Sequence, residues 1–432
     1  MSVLTNVEVE FDALFQNLNG KSERPYHQIR KEAFESYKQL GIPTVKHEDW
    51  KYANLKGLEK HNFQRATEVN VIAEDLSALP FSTLKGISLV FVNGNFVPEL
   101  SSDLHNESIK VLDFKQAESE IPEILNQHYG KAVDFQKEGL SALNVAFAQQ
   151  GAVVYVPANS TLEEPVLIKH INDSRNLEAF NAIHHLTVVD KNAEVKLVEI
   201  FQNVGEQAAF TNAVSEIFVA EDARVDYYKI QDENDASYHV GTTQVVQKDK
   251  SYFYAATVTV NGGFVRNNLN LVLDGEYIES HMYGLYIPNG NQLVDNHTLV
   301  DHRKPNSESN ELYKGILDGK SKGVFNGKIY VQQDAQKTNA YQNCRNVILS
   351  DSASMNTKPQ LEIWADDVKC SHGTTTGKLD EEAIFYMQSR GIPKAEAVKL
   401  QLAAFAEDVV SQFKWETLRE ELDVLILQKL QA

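Results

Sequence analysis

Apolar and polar positions divide the chain into stretches of different period. Near the N-terminus apolar residues step by three and four. Val9, Phe11, Leu14 and Phe15 do so within Val7 to Leu18, and a second run from His27 to Leu40 is closed by Gly41, Ile42 and Pro43. Helices are expected over both. Residues 86–145 are mixed, with a strand-like Ile87 to Val92, a hairpin turn at Asn93-Gly94 and a short helix over Ile121 to Tyr129.

From about Val145 the periodicity of helices fades and residues favoured in strands take over. Strands are expected at Val153 to Val156, Val166 to Ile171, His184 to Val189, Val195 to Phe201, Val225 to Ile230 and Thr242 to Gln247. Further strands are expected at Tyr252 to Val260, Leu269 to Leu273, Lys328 to Val331 and Val347 to Leu349. Turn markers such as Asp190-Lys191-Asn192, Glu221-Asp222, Lys248-Asp249, Asp274-Gly275, Asn289-Gly290 and Asp318-Gly319 recur roughly every 12 to 17 residues, or at about twice that spacing. A sandwich, a propeller or a solenoid would suit this rhythm. A propeller should show Trp-Asp repeats, which are missing, whereas two strand-turn units of about 30 residues together suit one coil of a β-helix. After Arg390 helical spacing returns. Ala395, Val398, Leu402, Phe405 and Val409 form one stripe and Leu418, Leu422, Leu425 and Ile426 another. Such stripes are usually core, although a share of this surface is expected to meet a partner.

Most of the chemistry falls in residues 357–393. Leu361, Ile363 and Ala365 alternate with Glu362, Trp364 and Asp366, and a second short strand is expected from Val368 to His372. Cys370 and His372 then project from one face, their Cα atoms about 7 Å apart, so thiolate and imidazole could lean onto one ion. Two donors do not close a tetrahedral site, so any metal here must draw others from elsewhere, including another chain. A buried thiol beside a satisfied imidazole is the competing reading. A Cys/His hydrolase is a third, disfavoured because neighbours on one strand rarely supply both nucleophile and base. Next, Gly373 and Gly377 bracket an expected Thr-rich turn, Asp380 caps a helix, and Gly391 and Pro393 end it.

Charge and cysteine content narrow the functional classes. Lys and Arg number 41 against 60 Asp and Glu, a formal charge of -19, which argues against nucleic acid or an anionic membrane as main partner. Cys344 and Cys370 are too few for a disulfide framework, and neither an export signal nor a membrane-length apolar run is seen. The chain is therefore read as soluble and cytoplasmic. The segments Gly323 to Lys328 and Gly373 to Lys378 fall one residue short of a phosphate loop and lack the following Ser or Thr. No Gly-rich dinucleotide fingerprint opens a helix. His297 and His302, five apart, fall on opposite faces of a strand and are read as structural, as are His184 and His185. The aromatic and charged run from His47 to Tyr52 is read as packing at a domain edge.

These motifs together resemble the SufB/SufD family of iron-sulfur cluster assembly proteins. The resemblance rests on Tyr313-Lys314-Gly315, VFNGKIYV at 324–331, DAQKTNAYQ at 334–342, TKPQLEIWADDVKCSHG at 357–373 and the LDEEAIFYMQSRGI helix. It continues through DNHTLVDH and, more faintly, EDWKYANL, and so covers essentially the whole chain. The KCSHG run is similar to the family's shorter branch, since the longer SufB branch does not carry it. The resemblance implies a central right-handed parallel β-helix flanked by N-terminal and C-terminal helical regions. The corresponding boundaries are 1–85 for the N-terminal helices, 86–145 for a mixed α/β lead-in, 146–372 for the β-helix and 373–432 for a helical ATPase-docking region. It implies a non-enzymatic subunit that pairs with a SufB paralogue through the β-helix and with the SufC ATPase through its C-terminal helices. Ile384, Phe385, Val398, Leu402 and Phe405 would serve that docking. His372 and Cys370 would face SufB cysteines where a transient iron-sulfur cluster forms, and no ATP would be bound by this chain. A reduced flavin is associated with the family's complex, though no stretch here reads as a flavin site. A homodimer of the isolated chain stays open. The alternative function is a carbohydrate-active β-helix enzyme, which would need paired acids and usually an export signal.

Overall fold

The recurring turns close coils. The computed structural model describes residues 4, 7–16, 23–66, 68–104 and 109–431, which leaves Leu18 of the first expected helix outside the described residues. A lead-in of β1 (Ile87–Val92), β2 (Asn95–Phe96) and β3 (Lys110–Asp113) precedes β4 (Ala152–Val156), β5 (Val166–Asp173), β6 (Ala179–Val189) and β7 (Glu194–Val204). Then come β8 (Ala209–Val219), β9 (Arg224–Asp232), β10 (Tyr238–Gln247), β11 (Tyr252–Asn261), β12 (Phe264–Leu273) and β13 (Glu279–Tyr286). The series ends with β14 (Leu293–His302), β15 (Glu308–Leu317), β16 (Lys322–Val331), β17 (Asn339–Ile348), β18 (Ser354–Ile363) and β19 (Lys369–Gly377). From β4 on, even-numbered strands stack in one sheet and odd-numbered strands in the other, all parallel. The result is a parallel β-solenoid of about eight turns. One coil takes 26 residues where Tyr238 lies opposite Phe264 and 33 where Val153 lies opposite Leu186.

One corner of the coils shows why the turn markers recur. Asn192, Asp222, Lys250 and Tyr277 have φ between 55° and 58°. The backbone N–H of Asn192 donates to Glu221, that of Asp222 to Asp249 and that of Lys250 to Glu276, so each corner is bonded to the next coil. Asn and Asp tolerate this left-handed conformation best, which is why they mark the corner in sequence.

The helices are α1 (Val7–Gln16), α2 (Pro25–Leu40), α3 (Ala73–Ser77), α4 (Phe114–Glu120), α5 (Pro122–His128), α6 (Gly139–Phe147), α7 (Glu381–Ser389), α8 (Lys394–Val410) and α9 (Glu416–Lys429). Phe34 of α2 and Leu143 and Phe147 of α6 share a core with Phe180, Phe210 and Val214 on the outside of the even sheet. Beneath them Glu216 is fully buried, paired with His184 Nε2 at 2.8 Å and accepting N–H groups from Gly130, Ala132 and Val133 at 2.5 to 3.1 Å. Gly130 has φ of 66°, and a Cβ there would sit 2.7 Å from Ile29. At the opposite side Leu402, Ala406 and Val409 of α8 and Leu418 and Leu422 of α9 pack on Tyr228, Ile230 and Val258 of the odd sheet. Burying these large side chains, at about 1.5–3 kcal/mol each, fixes both helical regions to the solenoid.

The lumen is less apolar than the strand pattern suggests. Its inward rows include Glu199, Lys229, Gln231, His239, Asn267 and Glu311, all buried. Tyr227 and Ser215 donate to Glu199 at 2.8 and 2.6 Å, and Thr259 and Asn267 donate to Gln231. Polar residues inside explain why β13, β14 and β15 escape the sequence reading. A second correction concerns Gly373 to Gly377. The expected turn is strand, because Thr374 to Thr376 are β-branched and continue the ladder opposite Cys344 to Asn346.

Glu311 gives the lumen a measurable pH dependence. Burial lifts its carboxyl from the ordinary 4.5 to about 7, against the pull of the hydrogen bonds made to it. A raised folded-state value means that its contribution is fully present below about pH 4.5 and is lost as pH rises through 7. The loss is on the order of 3 kcal/mol. Denaturant unfolding should therefore show Glu311→Gln gaining stability relative to the parent between pH 5 and 8, with the difference levelling off above that. Equal differences at both pH values would show that Glu311 does not titrate in this window.

Candidate functional site

The solenoid ends in two unpaired edges, β18 on the even sheet and β19 on the odd. Alternation along β17 settles which side chains of β19 point inward. Ala340, Gln342, Cys344 and Asn346 are buried, while Tyr341, Asn343 and Arg345 are exposed. Cys370 stands opposite Ala340 and His372 opposite Gln342, so both belong to the inward row of the terminal coil. That location leaves His372 exposed and Cys370 half-buried.

Cys370 packs beside Ile329, Val331 and Ala340, and this burial raises its thiol above the usual value. At neutral pH the sulfur carries its proton, so iron binding would displace it. Cys344, two positions further along the inward surface of β17, is fully buried beside Tyr286 and Asn346, and its thiol is pushed up to about 12. Such a thiol is inert. Among the described residues no three His, Cys, Asp or Glu side chains converge to hold a metal ion. Cys370 and His372 are thus an accessible pair of donors and short of a full coordination sphere. Trp364 and Ile363, exposed at the end of β18, add apolar surface to the same rim.

Only Lys378 to Asp380 separate β19 from α7. Asp380 caps that helix by accepting from the Glu382 and Ala383 N–H groups, as its position in the sequence suggests. The docking candidates sort by burial. Ile384 and Leu402 lie in the chain's own interior, at 3% exposure each. Val398 and Phe405 are partly buried against the odd sheet, with Lys314 Nζ 4.1 Å from the Phe405 ring centre. Phe385 faces outward at 72% exposure beside Tyr386. Apolar spacing could not separate these, because α7 and α8 each bury one side only.

The histidines read as structural from the sequence have partners inside the chain. His184 meets Glu216, and His185 lies 3.0 Å from His170 inside the lumen, where burial lowers both rings. His302 points inward to Ser309 while His297 faces out and pairs with Asp295, the opposite faces that their spacing requires. Trp50 is buried under the Arg266 guanidinium at 4.4 Å, and Arg266 also holds Asp295 at 2.6 Å, so the His47 to Tyr52 run packs at a domain edge. What sequence reasoning missed lies under His372. Gln342 and Glu311 continue its row into the lumen, and the only signal was the alternation in Ala340, Gln342, Cys344 and Asn346. No helix among the described residues is long and apolar enough to cross a membrane.

Comparison with known proteins agrees with this architecture. Residues 170–405 match the family model described as SUF system FeS cluster assembly, SufBD core domain, and residues 6–168 match the SufBD protein N-terminal region. The iron-sulfur cluster assembly protein SufD of Escherichia coli is 33% identical over 91% of this chain and 90% of its own length. An iron-sulfur cluster assembly SufBD family protein of Synechocystis is 31% identical over 97% and 94%. SufD of Bacillus subtilis is 26% identical over the full length of both. By the extent of these matches, and with a solenoid ending in the expected Cys-Ser-His strand, the chain belongs to the SufBD family of iron-sulfur cluster assembly proteins.

Proposed function

We propose that this chain is a non-catalytic scaffold subunit whose open terminal coil is completed by a SufB paralogue. The observation that carries the reading is the half-buried thiol and exposed imidazole in one inward row at an unpaired double edge. Unpaired strands present free N–H and C=O groups, and a partner with a similar edge could extend both sheets. Cysteines of that partner would then supply the donors that Cys370 and His372 lack, and the nascent cluster is the cargo of the joint site. The same edge would allow an isolated chain to pair with a second copy. A cytoplasmic setting accords with two free thiols and no disulfide. Reduced flavin, if it serves the complex, has no assigned residues here. The family match sets the carbohydrate-active reading aside.

The SufC ATPase would dock on the exposed side of α7, through Phe385 with Tyr386. Dimerisation of two docked ATPases on binding ATP would pull on α7. The three-residue link to β19 would pass that displacement to the strand bearing Cys370 and His372. Gln401 Nε2 also donates to the Asp380 carbonyl at 3.0 Å, so α8 moves with the cap of α7.

Two measurements test this reading. Anaerobic reconstitution with iron and sulfide, followed by visible absorption of the complex with SufB and SufC, should lose most of its cluster signal with His372→Ala and a smaller part with Cys370→Ala. Unchanged absorption in the His372 variant would remove the ligand role. Binding of SufC should weaken at least tenfold with Phe385→Asp, about 1.4 kcal/mol, because a charge replaces an exposed ring. Removing residues 394–432 would be a poor test, since it would strip the cover from Tyr228 and Ile230. Unaltered SufC affinity in Phe385→Asp would place the docking surface elsewhere.

A further inference from the structure

The row that ends at His372 continues inward as a column. His372 stands opposite Gln342, Gln342 opposite Glu311, and Glu311 opposite Met282. Register neighbours are about 4.8 Å apart, so side chains in such a column stand next to one another. Gln342 has no exposed surface and Glu311 4%. Gln342 Nε2 donates to Glu311 Oε2 at 2.8 Å, while Oε1 of each residue is buried without a partner. The carboxamide fits because Gly327 faces it from the even sheet, where a Cβ would come within 2.3 Å of Gln342 Nε2.

A carboxamide carries its donor and its acceptor at different vertices. With Nε2 engaged by Glu311, Oε1 is left for another group, and the next side chain in the column is the His372 imidazole. Resting on the reading of His372 as a cluster ligand, we propose that Glu311 and Gln342 are positioning residues for that imidazole. The Gln342 amide relays the charge state of Glu311 and so selects which ring nitrogen is free for iron. An ionised Glu311 accepts from Nε2, Gln342 Oε1 accepts the imidazole N–H, and the opposite ring nitrogen keeps its lone pair outward. A protonated Glu311 donates to Oε1 instead. The amide then turns over and offers Nε2–H to the ring, which reverses the tautomer. Partners of this kind fix the tautomer and raise the basicity of metal-binding histidines.

The surroundings let Glu311 act as the variable member. Tyr313 on its own strand and Cys344 on the next are the titratable groups facing it, and burial raises both, so they stay neutral. Thr298 faces it from the even sheet and Met282 from β13, neither of which titrates. His302, bonded to Ser309 one inward position away, is held neutral by burial. Burial puts the Glu311 carboxyl at about 7, where both charge states are populated near neutral pH.

Side-chain 15N spectra of the full-length chain labelled at histidine test the relay, with His372 assigned by its disappearance in His372→Asn. Between pH 5.5 and 8.5 the His372 tautomer ratio in the parent should change through an inflection near 7. Glu311→Gln, nearly the same shape, and Gln342→Met should each abolish that inflection while circular dichroism shows the fold retained. The same His372 profile in all three proteins would overturn the proposal. This readout needs no cluster and no partner. A flat profile therefore leaves the ligand reading standing, and a reconstitution signal insensitive to His372→Ala removes the ligand reading without touching the relay.

Discussion

Backbone hydrogen bonding between successive coils is the constraint from which the rest follows. Each parallel strand satisfies the N–H and C=O groups of its neighbour and hands an equal set to the next, so the ladder must be terminated or continued at both ends. At the N-terminal end the parallel run gives way to antiparallel neighbours. Strand β1 lies beside β5, β3 runs antiparallel beside β4, and helix α6, with every residue buried, seals the adjoining sheet surface. At the other end β18 and β19 have no further strand among the described residues, and α8 and α9 lie along the outside of the odd sheet. The parallel ladder thus ends against antiparallel strands on one side and is left open on the other.

Where the ladder stops, interior becomes surface. Side chains that are sealed in every earlier coil, such as Gln342 and Cys344, are followed by Cys370, His372 and Thr374 in the same rows at the open end. This is an economical way to display a thiol and an imidazole together, since their direction is fixed by the pleat and by the rigid coil beneath. It also couples them to a polar lumen. Buried amides, carboxylates and imidazoles cost stability unless paired, and an interior with orphaned atoms on His239, Asn267, Glu311 and Gln342 carries more of that cost than a purely apolar one.

The coil period, the Asn93-Gly94 hairpin, the flanking helices and the shared strand face of Cys370 and His372 were legible in the sequence because each rests on local chemistry. Turn residues with positive φ and strict two-residue alternation survive without tertiary context. Strand β15 was not legible. Its inward residues are Ser309, Glu311 and Tyr313, which invert the usual reading of polar as outward. Strand β8 was hidden for the opposite reason, being buried on both faces. In the site, the stripe on α8 was read correctly as an apolar face, but only the packing of Leu402 on the odd sheet shows that it is spent within the chain. Glu311 and Gln342 lie two and one coils from His372, a proximity that register creates and sequence distance conceals.

The central claim, that a partner completes the terminal coil, is tested most directly by hydrogen exchange of backbone amides in the isolated chain and in its complex with SufB and SufC. Completion of the ladder predicts that the amides of residues 354–363 and 369–377 that point away from β16 and β17 exchange readily alone and become strongly protected in the complex, while those of β4 to β8 change little. Unchanged exchange in both edge strands, with new protection confined to other surfaces, would contradict it.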